Sequence, residues 1–506
     1  MLIPTPRDNP GNAKVCLLGL DSASVSLVRR WAGGGQLPHL RALIEEAAWG
    51  QLASPPGMGD DATWASFFTC TTPAVHGRFF YRAVEPGSYD YPRANEVHVK
   101  RRPFWNALSD QGRTCAVLDV PKCPLSTQLR GVHLTDWRVH GRDQATRSWP
   151  SELAEQLQAR FGEDRTDGSG PGWLCRLKEI PARQLEELLK FLLESIEDKV
   201  TLAEELLERQ PWDLFLLVFK EAHCVGHQCW HLLDPGHPAF SAQLADRLGN
   251  PVLRVYQALD GAIGRLRQRL TPDTHFVVFS DLDMGPNYTG EHLLDEILLG
   301  LEKSLWPQAS AQSQWHRARY QVEGFLRQRL ARRPPSRTVT LRHRRMFPLE
   351  HNEMSGAIRL NLRGREPFGN LRPGVELEGA VQRLSEELLH LRNPASGAPV
   401  VQEVIHVDQV YCGENRHLLP DLLVVWNREG PIESVESKLL GRIGPRASGF
   451  RTGNHLGDGF CLVTGPGVQS RVRFEASILD LGPTTAHWLG VSLPDVEGRP
   501  IEALVR

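Results

Sequence analysis

The chain has 506 residues, of which 41% are hydrophobic, so it can bury a core large enough for more than one domain or for one large α/β unit with an insertion. A formal net charge of −2 and a pI near 6.8 argue against binding to nucleic acid or to a membrane surface through bulk charge. Nine cysteines occur without a CxxC pair, and no apolar leader or membrane-length apolar run is present, so we expect a cytoplasmic protein with reduced thiols.

The first predicted strand is the apolar run KVCLLGL at 14–20, which ends at Asp21. It is typical of a buried parallel strand, and open α/β sheets gather their ligands at the carboxyl ends of such strands. Helices are predicted over about 24–30 and 38–48 because apolar residues recur there at helical spacing.

A loop and a helix are predicted over SPPGMGDDATWASFFTCTTPAVHG, residues 54–77. Asp60, Asp61 or Thr63 is expected to cap a helix that begins near Trp64. A hydroxyl at a helix N-terminus is well placed to become a nucleophile, because the backbone N–H groups there favour an anion. An ordinary N-cap threonine is the alternative.

Histidines follow the next buried strand, predicted at Leu214–Phe219 after a long amphipathic helix over 182–208. His223 and His227 are four residues apart, so a helix would place both imidazoles on one face, where they can share a metal ion. Surface or capping histidines are the alternative. A third buried strand, Phe276–Phe279, ends in two aspartates, so that three predicted strands lead into metal-ligand residue types.

The region 296–400 is predicted to be an inserted, basic cap between two parts of an α/β core, 1–295 and 401–506. A partner-binding module is the alternative for this region. Arginines alternate in GAIRLNLRGREPFG, so on one strand they would share a face that is either anion-binding or simply solvated. Further on, His455 lies in a predicted Gly-rich loop between the strand-like runs DLLVVW and GFCLVTGPG.

Five segments in this order resemble the alkaline phosphatase superfamily, and within it the type I phosphodiesterase/nucleotide pyrophosphatase branch. They are LLGLD with Asp21, DATWASFFTCTTPAVHG with Thr63, HCVGH with His227, TGNHLGDGFCLVTGPG with His455, and the closing ILDLGPTTAHWLGVSLPDVEGRPI. The resemblance implies a central, mostly parallel sheet flanked by helices. It also implies two divalent metal ions and hydrolysis of phosphate esters with Thr63 as the nucleophile between the two metal sites.

The resemblance also implies the ligands of each ion. A site that favours zinc would be formed by His223, His227 and His455, although the family has aspartate where His223 stands and Glu221 is an alternative ligand. The second site would be formed by Asp21, Thr63 and Asp281. Four arginines are expected, from charge alone, to hold the substrate oxygens: Arg78, Arg359, Arg363 and Arg365.

The second site departs from the family pattern, because the family's Ser-Asp-His-Gly is SDLDMG in this chain. Leu282 replaces a metal-binding histidine and cannot be a ligand. Either Asp283 joins an oxygen-rich site for Zn, Mn or Mg, or it points away and the site is weak or empty. The predicted function is therefore hydrolysis of a small phosphoester substrate, with a protein of altered chemistry or a catalytically degenerate binding protein as the alternative.

Overall fold

The computed structural model describes residues 14–94, 98–138, 146–162, 182–307, 341–349, 354–446 and 451–505. Two of the basic clusters assigned to the predicted cap, HRARY at 316–320 and RQRLARRPPSR at 327–337, lie outside the described residues. No helix within the described part of the chain combines the length and the apolar character that crossing a membrane requires.

A nine-stranded sheet forms the centre of the fold, in the order β15-β2-β14-β7-β1-β6-β3-β4-β5. Its neighbours are parallel except at β2-β14, β14-β7 and β4-β5. The strands are β1 Lys14–Leu20, β2 Ala48–Ala53, β3 Cys115–Leu118, β4 Gly131–Thr135, β5 Arg147–Trp149, β6 Leu214–Phe219, β7 Thr274–Pro286, β14 Gly453–Thr464 and β15 Arg473–Ser477. The predicted α/β class with a mostly parallel central sheet is confirmed.

Helices pack on both faces of this sheet, which buries two separate apolar cores, one on each side. The α-helices among the described residues are α1 Val25–Gly33, α2 Pro38–Glu46, α3 Asp60–Thr69, α4 Pro73–His76, α5 Phe104–Asp110, α6 Ser151–Phe161, α7 Ala182–Arg209, α8 Glu221–Cys229, α9 Ala242–Leu248, α10 Pro251–Gln268, α11 Leu294–Leu305, α12 Val375–Leu389, α13 Val407–Val410 and α14 Leu481–Trp488. Short 3₁₀ turns cover Trp230–Leu232, Glu291–Leu293, Arg416–Leu418, Ile478–Asp480 and Glu502–Leu504.

The three strands predicted to end in ligand residues are adjacent in the sheet, because β1 pairs in parallel with both β6 and β7. The structure gives β1 and β6 the predicted bounds, since each is a continuous apolar run buried on both faces. β7 is longer than predicted. Its pairing with β1 stops at Phe279, and it continues beside β14 to Pro286, so Asp281 and Asp283 lie within the strand.

A second, four-stranded antiparallel sheet has the order β10-β11-β9-β8. Its strands are β8 Met346–Leu349, β9 Ser355–Leu360, β10 Val401–His406 and β11 Leu422–Trp426, and a separate hairpin pairs β12 Val435–Ser437 with β13 Gly441–Ile443. The predicted boundary at residue 400 therefore falls inside this small sheet, and DLLVVW belongs to it rather than to the central sheet. One face of the small sheet packs on apolar residues of the segment around α3, including Met58 and Ala62.

The predicted alternation of arginines along one strand is wrong, because β9 ends at Leu360 and a turn follows. Arg359 is buried and bonds Glu366 at 2.8 Å and the carbonyl oxygen of Leu419 at 2.8 Å. Arg365 forms a two-pronged ion pair with Asp421, with both distances 2.7 Å. These guanidinium groups hold the small sheet together, and only Arg363 of the predicted set is exposed.

Two buried histidines, His76 and His133, are expected to make the fold sensitive to acid. Burial, and secondarily a nearby arginine, lowers the pKa of both His76 and His133 to about 3. In each ring Nδ1 accepts a backbone N–H, from Arg78 at 3.0 Å and from Ser126 at 2.9 Å, so protonation would break a hydrogen bond as well as bury a charge.

We expect the free energy of unfolding to fall as the pH falls from about 6.5 toward 3, because the unfolded chain then protonates histidines that the folded chain keeps neutral. Each such histidine contributes a slope of about 1.4 kcal/mol per pH unit. Urea unfolding at several pH values measures the slope. His133→Gln should reduce the slope by the contribution of one proton, about 1.4 kcal/mol per pH unit. An unchanged slope in this variant would contradict the assignment.

Candidate metal centre

Three buried imidazoles converge at the carboxyl end of the central strands. His223 and His227 lie on α8, directly after β6, and His455 lies on β14 rather than in the predicted loop. The ring centroids are 4.6, 4.7 and 4.9 Å apart, and the Nε2 atoms of His223 and His455 are 3.2 Å apart. Among the described residues these three form a group whose ligand atoms all lie within 4.8 Å of one another.

Hydrogen bonds fix the orientation of two of these rings. His227 Nδ1 lies 2.8 Å from the carbonyl oxygen of Gly453, which can only accept, so Nδ1 carries the proton and Nε2 has a free lone pair. His223 Nδ1 lies 3.0 Å from Asp21 Oδ2, and a carboxylate there selects the same tautomer. Both rings therefore offer Nε2 as a ligand atom.

The group fits a metal ion. Burial is the main reason why the pKa of His227 is well below its usual value, and burial followed by His223 lowers that of His455 to about 3, so these rings are neutral as ligands must be. His227 Nε2 and His455 Nδ1 are buried and have no hydrogen-bond partner among the described residues. Zn–N bonds of about 2.0–2.1 Å in tetrahedral geometry place ligand nitrogens about 3.3–3.4 Å apart. The 3.2 Å separation of the two Nε2 atoms is close to that value.

Two motif glycines lie where α8 contacts β14, and Gly453 allows this close approach. A Cβ atom on Gly453 would lie 2.2 Å from the carbonyl oxygen of Gly226, which is backbone and cannot move aside. Gly226 in HCVGH and Gly453 in TGNH are thus in mutual contact. The absence of a side chain at Gly453 lets His227 reach the Gly453 carbonyl oxygen. A Cβ atom on Gly226 would instead lie 2.9 Å from the side chain of Met284 on β7.

Two carboxylates lie beside the histidines. Asp21 follows β1, and its Oδ1 accepts from the indole of Trp64 at 3.1 Å, while Oδ2 accepts from His223. Burial raises the pKa of Asp21, but the pairing with His223 outweighs this and the net pKa is lowered. Asp281 Oδ1 accepts from the backbone N–H of Ser22 at 2.9 Å, and its buried Oδ2 has no hydrogen-bond partner among the described residues. Burial, then the charge of Asp21, raises the pKa of Asp281 well above its usual value.

Three acidic or apolar neighbours are directed elsewhere. Asp283 Oδ1 accepts the backbone N–H of Val25 at 3.0 Å, so it caps the N-terminus of α1, a different arrangement from the predicted oxygen-rich site. Glu221, the alternative ligand, accepts from Ser195 at 2.6 Å and pairs with Lys199 at 3.0 Å. Leu282 is fully buried in the sheet.

Thr63 lies in the first turn of α3, not at its start. The helix begins at Asp60 with Gly59 as the N-cap residue, four residues before the predicted beginning at Trp64. Thr63 is fully buried, and its hydroxyl donates to the Gly59 carbonyl oxygen at 2.9 Å. Arg78, a predicted substrate ligand, is buried and paired with Asp61 in the same turn, with Nη2 2.5 Å from Oδ1.

Two residues near this centre were not predicted as part of it. Asp60 was considered only as a helix cap, and it is a buried carboxylate at the first position of α3. Arg428, just beyond β11, donates to the carbonyl oxygens of His455 and Met354, so it ties the small sheet to the strand that carries a histidine ligand. The sequence carries no signal for Arg428, because its partners are main-chain atoms remote in the chain.

Comparisons with known proteins bear on the family and the fold of this chain. Residues 15–428 match the family model described as type I phosphodiesterase/nucleotide pyrophosphatase. Human ectonucleotide pyrophosphatase/phosphodiesterase 5 superposes with a TM-score of 0.50 at 13% identity over 96% of this chain and 97% of that one. Phosphonoacetate hydrolase from Sinorhizobium meliloti 1021, in complex with phosphonoformate, gives 0.53 at 13% identity over 95% and 96%. A search of curated protein sequences gives no match.

Proposed function

Because the chain belongs to the type I phosphodiesterase/nucleotide pyrophosphatase family, we propose that it hydrolyses phosphate esters at the centre formed around His223, His227 and His455. The observation that supports this proposal is the convergence of three buried imidazoles beside two carboxylates. These histidines do not complete a hydrogen-bond network that would stabilise the fold, since two of their ring nitrogens have no partner among the described residues. Such a buried group is typical of a functional site.

The chain's own residues would hold two divalent ions, zinc at the histidines and Zn, Mn or Mg beside Asp21 and Asp281. An ion bound there supplies Lewis-acid polarisation of the phosphoryl oxygens. Asp21 orients His223 and the Gly453 carbonyl orients His227, so neither ring has to reorganise when the substrate arrives. The substrate that we propose is a small phosphate diester or an activated monoester.

Thr63 remains our proposed nucleophile. It lies in the first turn of α3, where backbone N–H groups favour the charge that develops on attack. Its proton now points to the Gly59 carbonyl oxygen, which is not a base. Attack on phosphorus therefore requires rotation about χ1 that releases this bond.

Thr63→Val keeps the side-chain volume and removes the hydroxyl, so we expect turnover of an aryl phosphodiester to fall at least roughly a thousandfold while zinc content is unchanged. Thr63→Ser should keep much of the activity. Steady-state kinetics and metal analysis of the same preparations measure both effects. Wild-type turnover in the valine variant would exclude Thr63 as the nucleophile and leave the rest of the proposal intact.

The proposal as a whole is tested on protein purified without chelator and assayed with aryl phosphodiesters and monoesters in Zn, Mn and Mg. Bound metal together with turnover supports a hydrolase. No metal and no turnover in any of these ions would overturn it and favour the degenerate binding protein that Leu282 motivates. We also propose a cytoplasmic location, because the nine cysteines of the sequence include no CxxC pair.

A further inference from the structure

We propose that Asp60 completes the second metal site as its third carboxylate ligand, with Asp21 and Asp281, and that this all-oxygen site takes a hard divalent cation such as Mn²⁺. The inference deepens the proposed function, because it concerns the same centre. Asp60 takes the place that the sequence assigned to Asp283. The two metal sites then differ in ligand type, with imidazole nitrogens in the first and carboxylate oxygens in the second.

The geometry of α3 directs Asp60 toward Asp21. Trp64 donates its indole N–H to Asp21 Oδ1 at 3.1 Å, so the face of α3 that carries Trp64 contacts Asp21. Asp60 precedes Trp64 by four residues and shares this face, one turn nearer the helix N-terminus. It is only 4% exposed. Its Oδ1 accepts the N–H of Asp61 at 2.7 Å, which fixes the carboxylate at the start of the helix.

An independent observation points to a cation. Asp281 is fully buried, its Oδ1 is held by the Ser22 N–H, and its Oδ2 has no hydrogen-bond partner in the described part of the chain. A buried polar atom left without a partner is unfavourable, and more so when it is charged. Asp21 and Asp60 both act on Asp281 as nearby like charges. Three mutually repelling, buried carboxylates are stable together when a cation lies among them.

Within the described part of the chain, the other positions considered for this site add no nitrogen ligand, and His223 directs its Nδ1–H rather than a lone pair toward Asp21. Leu282 has no donor atom, Asp283 caps α1, and the Thr63 hydroxyl is bonded to Gly59. The oxygen ligands that remain are carboxylates, which Mg²⁺ and Mn²⁺ prefer and which bind zinc less selectively than imidazole does.

Full-length protein loaded with one equivalent of zinc is titrated with Mn²⁺, and free Mn²⁺ is followed by electron paramagnetic resonance. Asp60→Asn keeps an oxygen acceptor for the Asp61 N–H but removes the charge. We expect this variant to bind Mn²⁺ at least about tenfold more weakly and to keep its zinc content unchanged. Unchanged zinc content also shows that the variant folds. Asp283→Asn is the matched comparison and should bind Mn²⁺ as the wild type does.

Thermal unfolding gives a second readout. Metal-free Asp60→Asn should melt at or above the temperature of the metal-free wild type, because one of three buried like charges is gone, and Mn²⁺ should no longer raise its Tm. Unchanged Mn²⁺ binding in Asp60→Asn, or a loss in Asp283→Asn in its place, would overturn the inference. Failure of the proposed function looks different: no phosphoester is turned over although Mn²⁺ binding depends on Asp60.

Discussion

Replacing His227 by alanine is expected to remove the bound zinc and to lower phosphoester turnover by at least roughly a thousandfold. The ring is buried, its tautomer is fixed by the Gly453 carbonyl, and its Nε2 has no partner among the described residues other than the ion it would bind. Only two imidazoles remain at the zinc site of this variant, fewer than the three protein ligands of catalytic zinc sites. Metal analysis by mass spectrometry and steady-state kinetics on one preparation measure the two effects together.

His231→Ala is the matched control. His231 lies four residues beyond His227 and is also buried, but its Nδ1 bonds the Thr452 hydroxyl at 3.0 Å and it lies outside the group of three. We expect this variant to keep its zinc and most of its turnover. Equal losses in both variants would show that the His227 effect comes from general disruption of α8, and full zinc content in His227→Ala would contradict the site itself.

The second large effect is expected at Lys199, where Lys199→Met should lower the free energy of unfolding by about 3–5 kcal/mol. The ammonium group is buried and lies 3.0 Å from both Asp119 Oδ2 and Glu221 Oε1. Asp119 keeps a second partner, since Lys220 is 2.9 Å from its Oδ1. Glu221 loses its ion pair, and burying a carboxylate without a cation is the main cost. Urea unfolding followed by tryptophan fluorescence measures the change.

Two further variants make this prediction specific. Lys190 lies on the same helix, α7, but its side chain is 77% exposed and pairs with Glu194 on the surface, so we expect Lys190→Met to change the free energy of unfolding by about 0.5 kcal/mol or less. Adding Glu221→Gln to Lys199→Met removes the unpaired charge and should restore part of the lost stability. A double variant less stable than Lys199→Met alone would show that charge is not the cause. Because Glu221 begins α8 two residues before His223, this ion pair also fixes the start of the helix that carries two of the histidines.

Local patterns predicted the parts of this fold whose cause is local. The strands β1 and β6 were bounded correctly because strands buried on both faces must be apolar throughout. The group of three histidines was predicted because spacing on a helix places His223 and His227 together, and because the family motif adds His455. The alternation of arginines failed because alternation has meaning only on a strand, and the chain turns after Leu360.

By itself the sequence determined the α/β class, the family segments and the three histidines, since these depend on composition, periodicity and order along the chain. Only the tertiary structure decided which carboxylates lie beside Asp21 and which one caps a helix. The sequence left open whether Asp283 joins Asp281 at the second site. In the structure Asp281 accepts the Ser22 N–H beside Asp21, and Asp283 caps α1. Likewise, the rotation of α3 that turns Trp64, and with it Asp60, toward Asp21 is set by packing between α3 and β7, which no local pattern encodes.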